Sequence, residues 1–163
     1  MIPIALWFFL APVIALIDGE FATRLPFRVD LGAAQCLVFA LWMRPSLLPG
    51  LLLCTALARA LWTDGDLALH VLGLGIPVAI VLPARAMLDR HSFLVQGGCA
   101  LFLSVSTPWI TRLLAAQVGQ NAAPMPVDAF DALAALIFVP VVARGLAGIP
   151  PLRQGRESEE VFA

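Results

Sequence analysis

The stretch Leu47–Leu82 reads LLPGLLLCTALARALWTDGDLALHVLGLGIPVAIVL. Two apolar runs, Leu47–Trp62 and Leu67–Leu82, flank a polar turn, Asp64-Gly65-Asp66. Neither run alternates with period two, as a strand of a membrane barrel does. Each is also longer than the about 9–11 residues of such a strand, and close to the about 17–25 residues of a transmembrane helix. In lipid every backbone N–H and C=O needs a partner within the protein, and only helices and closed barrels supply one. The stretch therefore predicts a helical hairpin in a membrane.

Outward from this hairpin the pattern repeats. Further apolar runs cover Ile2–Ile17, Val29–Met43, Phe93–Val118 and Ala129–Ala147, which makes about six spans. The second run is the shortest. If it is re-entrant, five spans remain. Several runs are short enough to need local thinning of the bilayer or snorkelling of flanking side chains. The punctuation agrees: Asp18-Gly19 ends the first run, Arg44-Pro45 separates the second from the third, and polar connections run from Arg85 to His91 and from Asn121 to Asp128. Pro12, Pro77, Pro108 and Pro140 lie inside the runs, where each removes a backbone donor and kinks its helix. Met1–Ile17 has neither a positive leading segment nor a small-x-small cleavage site, so it is expected to be a first span and not a removed leader. The expected architecture is all-α: a polytopic helical bundle over residues 1–149 and a flexible, charged cytoplasmic tail over 150–163.

Composition points the same way. The chain is 61% hydrophobic and 13% charged, with a mean hydropathy of +0.93, against about half and a quarter for soluble domains. A domain of this size leaves much of its surface wet, so the excess cannot hide in a core. The lipid bilayer is its expected solvent. The net charge of −1 gives no long-range field for nucleic acid. Arg44, Arg85, Arg90, Arg144, Arg153 and Arg156 fall on one side of the alternating connections, against Arg24, Arg28 and Arg112 on the other. By the positive-inside rule both termini are expected in the cytoplasm.

Catalytic groups do not assemble from the sequence. Cys36, Cys54 and Cys99 lack a metal-ligand spacing. His70 and Asp64 lie six residues apart across a turn, which does not put them on one helix face, and His91 belongs to a polar connection. Asp18-Gly19-x-x-Ala22 matches the start of the CDP-alcohol phosphotransferase signature. Thr23 then replaces the required Arg, and no paired Asp follows Gly32, so there is no two-metal site. The expectation is a protein that is not an enzyme and holds no cofactor or metal. Arg59 is a better lead, since an Arg at a helix centre costs about 2.5–3.5 kcal/mol on insertion scales. It either snorkels to the interface over Trp62 or pairs with Asp64, Asp66 or an acid of a partner. Arg112 has the same two readings. Ala11 and Ala15 form a small-xxx-small pair, as do Ala56 and Ala60, suited to close helix contact within the bundle or with a partner. Arg59, Asp64, Ala11 and Ala15 are the candidate partner-binding residues.

The order of these features resembles a known family. A first span is followed by Asp30-Leu31 opening a short apolar helix. Leu41-Trp42-Met43-Arg44-Pro45-Ser46 then breaks into Leu47-Leu48-Pro49-Gly50-Leu51-Leu52-Leu53. Asp64-Gly65-Asp66-Leu67 leads into Leu69-His70-Val71-Leu72, and Arg85 to Arg90 precedes Ser92-Phe93-Leu94-Val95-Gln96. With a final apolar helix and a charged tail, this resembles MreD, the small polytopic rod-shape-determining protein of bacteria, over nearly the whole chain. Where that family commonly has an acid late in its third helix, this chain has Arg59-Ala60. The resemblance implies a non-enzymatic scaffold in the inner membrane that binds an MreC-like protein and the peptidoglycan synthases of the elongation complex. It also implies a fold similar to the substrate-binding subunits of energy-coupling-factor vitamin transporters. Membership of that second group is the competing reading.

Overall fold

The computed structural model describes residues 2–24, 31–62, 66–86, 89, 91–119 and 129–149. Among them are six α-helices and no strand: α1 Ile2–Arg24, α2 Leu31–Trp42, α3 Leu48–Trp62, α4 Leu67–Ala84, α5 Phe93–Gln117 and α6 Ala129–Ala147. A 3-10 turn, Pro45–Leu47, leads into α3. Five helices begin and end within about two residues of the apolar runs that predict them. The first does not. Its run was expected to stop at Asp18-Gly19, but α1 continues through both residues to Arg24. A charged residue ends an apolar run without ending a helix, and Gly weakens a helix by only about 1 kcal/mol relative to Ala.

Among the described residues three segments are long and apolar enough to cross a membrane: Pro45–Trp62, Leu67–Ala84 and Phe93–Gln117. At about 1.5 Å per residue the two shorter ones reach about 27 Å, close to the about 30 Å of a hydrocarbon core. No more than 33% of any of them is buried within the protein, so most of their apolar side chains face outward. Leu94 is 85% exposed, Leu61 69% and Trp109 64%. An apolar surface this extensive on helices is a lipid-facing surface, and the molecule is a membrane-embedded helical bundle.

The short helix α2 is the opposite case. Every residue from Leu31 to Trp42 is buried. The other helices surround it, neighbouring one another in the order α1, α3, α4, α5, α6, and α2 packs most extensively on α6, α5 and α4. Its sequence LGAAQCLVFALW has no charge and no polar face, as suits a helix enclosed on all sides. Small residues in its first half let neighbours approach. Leu37, Phe39, Leu41 and Trp42 fill the second half, where Phe39 meets the fully buried Trp7 of α1 edge to face at 5.2 Å. Trp7 also donates its indole N–H to Thr55 Oγ1 of α3 at 2.9 Å, and the Thr55 hydroxyl in turn donates to Leu51 O at 3.0 Å.

These contacts fix the direction of each helix. Asp18 meets Leu31 and Trp7 meets Phe39, so α2 runs antiparallel to α1. Ile4 lies beside Gly50, and Trp7 beside Thr55, so α3 runs parallel to α1. The ends of α2 and α4 meet through Arg85 and Met43. Thr111 of α5 fits against Gly73 of α4, where a Cβ would overlap its hydroxyl. Gln96 near the start of α5 meets Arg144 near the end of α6. The helices therefore alternate. Although short, α2 carries the chain from the Asp18 end of the bundle to the Met43 end, and α1 begins at the same end at which α6 finishes.

Candidate functional site

Twelve residues make a helix of about 18 Å at about 1.5 Å each, shorter than the hydrocarbon core. The ends of α2 therefore lie inside the bundle, where their first N–H and last C=O groups cannot reach water. Both ends have partners supplied by other helices. At the start, Leu31 N donates to Asp18 Oδ1 of α1 at 3.1 Å. At the other end, Arg85 Nη1, just beyond α4, donates to Met43 O at 2.9 Å. A carboxylate at the positive end of the helix dipole and a guanidinium at the negative end also have the favourable signs.

The Asp18 end carries the densest polar grouping among the described residues. Asp18, Gln35, Thr55 and Arg59 line one crevice with Gly32, against an apolar wall of Ala11, Ile14 and Ala15. The crevice volume is about 10 Å³, the room of a single water molecule. Gly32 makes it possible, because a Cβ there would overlap the Arg59 guanidinium. Arg59 is half-buried in the last turn of α3, and its head turns inward onto α2, while Trp62 is 57% exposed. His70, half-buried in the first turn of α4, lies within electrostatic reach of Arg59.

Three of the four candidate partner-binding residues thus meet at one place. Arg59, Ala11 and Ala15 all line the crevice; Asp64 lies outside the described residues. Ala11 is 1% exposed and is engaged in packing within the chain. Ala56 is fully buried and Ala60 half-buried on α3. The Asn121–Asp128 connection and the 150–163 tail also lie outside the described residues.

A second polar grouping ties α6 to α5 at the Met43 end. Arg144 Nε donates to the buried Gln96 Oε1 at 2.7 Å, and Nη2 donates to His91 O at 3.0 Å. Its guanidinium also sits 5.5 Å from the centre of the Phe93 ring, within the range of a cation–π contact. In the middle of α5, Ser104, Ser106 and Thr107 bury hydroxyl oxygens that have no hydrogen-bond partner among the described residues. No three His, Cys, Asp or Glu side chains among the described residues are grouped to hold a metal ion.

Sequence reasoning missed Asp18, Gln35 and Arg85 as members of these arrangements. The signal was the shortness of the second apolar run. A buried helix that cannot span has ends that need partners, and Asp18 and Arg85 are charged residues flanking long spans at the right levels. Gln35 stood out only as one of several scattered polar residues. No family model, no curated protein and no solved structure matches this chain.

Proposed function

We propose that this chain is a non-enzymatic scaffold subunit of MreD type. It works in the bacterial inner membrane, where it binds an MreC-like protein and peptidoglycan synthases of the cell-wall elongation complex. Its six helices act as six crossings with both termini in the cytoplasm, in a fold similar to that of energy-coupling-factor substrate-binding subunits. One observation carries the reading: the polar side chains within the bundle hold its own helices together. Asp18 and Arg85 hold the ends of α2, Thr55 holds Trp7, and Arg144 holds Gln96. A protein whose interior is used this way works through its outer surface.

Size favours the scaffold reading over the transporter one. Small-molecule sites occupy about 300–1,000 Å³, whereas the polar crevice at the Asp18 end offers about 10 Å³. The test is affinity purification of the full chain from its native membranes in mild detergent. Recovery of an MreC-like protein with cell-wall synthases is the expected result. Recovery of a pair of ATPases with a transmembrane coupling protein would replace the scaffold reading with the transporter one.

A further inference from the structure

Gln35 is 2% exposed, lies one turn inside the start of α2, and lines the crevice at the Asp18 end. Its side-chain amide makes no hydrogen bond to another described residue. A carboxamide has two donor hydrogens and an acceptor oxygen, and buried groups of this kind are almost always paired, with ordered water where protein is not at hand. The crevice it faces has the properties needed to settle what pairs with it.

Charge sets the first limit. Among the described residues one carboxylate, Asp18, and one guanidinium, Arg59, line the same crevice, so together they offer no net charge to a free ion. A metal ion would meet the Arg59 guanidinium, and a phosphate would meet the Asp18 carboxylate. The occupant is therefore neutral. Size sets the second limit, since about 10 Å³ admits one water and nothing larger. Hydrogen bonding sets the third. A buried water makes two to four bonds. Gln35 supplies donors and an acceptor, the Asp18 carboxylate has several acceptor sites, and Thr55 Oγ1 keeps one lone pair after accepting from Trp7.

We infer that this crevice is a binding site for a single, long-lived water molecule, anchored on Gln35 and bridging α1, α2 and α3. The bound water completes the polar shell around the first turn of α2. It also hydrates Arg59 inside the bundle, so that the guanidinium need not reach the membrane surface. The inference stands independently of the scaffold reading.

The test uses the full-length chain in lipid nanodiscs, with its glutamine side chains labelled with nitrogen-15. The chain has five glutamines, and loss of one signal in a Gln35→Leu variant identifies the relevant amide. Proton-detected solid-state NMR then measures magnetisation transfer from water to each side-chain NH2. The expected result is a strong transfer to Gln35 in the wild-type protein, falling at least about fivefold in Ala15→Leu. That variant fills the crevice from the α1 wall and leaves Gln35 in place. An assigned Gln35 amide with no transfer from water in the wild-type protein would overturn the inference, whatever the variants do. So would an undiminished transfer in a folded Ala15→Leu protein, because the water would then sit elsewhere.

Discussion

One methyl group added at Gly32 of α2 would occupy the space of the Arg59 guanidinium. Gly32→Ala obliges the flexible Arg59 head to move, and is expected to lower stability by about 1 kcal/mol, the low end of the range for overpacking. Gly75→Ala is the matched control. Nothing lies within 4 Å of a Cβ placed there, and removing a helical glycine is worth up to about 1 kcal/mol in favour of the helix. Thermal unfolding of the two variants in detergent, followed by tryptophan fluorescence, should move in opposite directions. Arg59→Glu places a second carboxylate in the crevice with Asp18, and should destabilise the bundle by about 2 kcal/mol or more through an unpaired buried charge. Measuring partner recovery beside melting separates two roles for Arg59. If the complex is lost while melting is unchanged, the guanidinium serves a partner; if both fall together, it serves α2. The sequence singled out Arg59 for its unusual place in an apolar run, yet not the direction of its head. That direction depends on Gly32, 27 residues away, leaving a gap that no local pattern reveals.

At the scale of the element, α2 shows what the sequence could and could not say. Its limits were legible because Leu31–Met43 is uncharged and bounded by Asp30 and Arg44. Its complete enclosure was not, because apolar side chains look alike whether they meet lipid or other helices. What distinguished it was length: a helix too short to span is stable only if something satisfies its ends. Asp18 on α1 and Arg85 just beyond α4 do this, so removing either should loosen one end of α2. Asp18→Ala is expected to destabilise by about 0.5–2 kcal/mol, as for the loss of a helix cap, while Asp18→Asn, which keeps the acceptor oxygen, should lose less. Arg85→Met leaves the Met43 carbonyl without its donor and is expected to destabilise by about 1–3 kcal/mol. The two sites sit at opposite ends of a helix about 18 Å long, so the double variant should show additive losses within about 0.5 kcal/mol. A larger departure in a denaturant-based cycle would mean that the two ends of α2 are coupled.

For the whole molecule, the alternation of helices makes a topological prediction. Ser46, in the turn before α3, and Gly148, after α6, belong to one end of the bundle, while Asp66, before α4, belongs to the other. Single cysteines placed at these positions in a cysteine-free background should react with an impermeant maleimide accordingly. Those at Ser46 and Gly148 should label from one side of the membrane only, the cytoplasmic side in the orientation proposed above, and that at Asp66 only from the opposite side. Labelling of Ser46 and Asp66 from the same face would refute the alternation. The number and placement of helices could be read from hydropathy because the bilayer imposes a length on every span. The crevice could not, because it joins residues of α1, α2 and α3 whose proximity depends on packing and not on spacing.

The enclosure of α2 also has a consequence for biosynthesis. Chains are made from the N-terminus at about 5–20 residues per second. The 86 residues between Trp42 and Ala129, the start of the neighbour on which α2 packs most extensively, thus correspond to a wait of about 4–17 s. During that interval α2 is in the membrane without its main cover and, until Arg85 emerges, without the donor to the Met43 carbonyl at its end. Chains halted before α6 are therefore expected to leave α2 open to a crosslinker that cannot reach it in the finished protein.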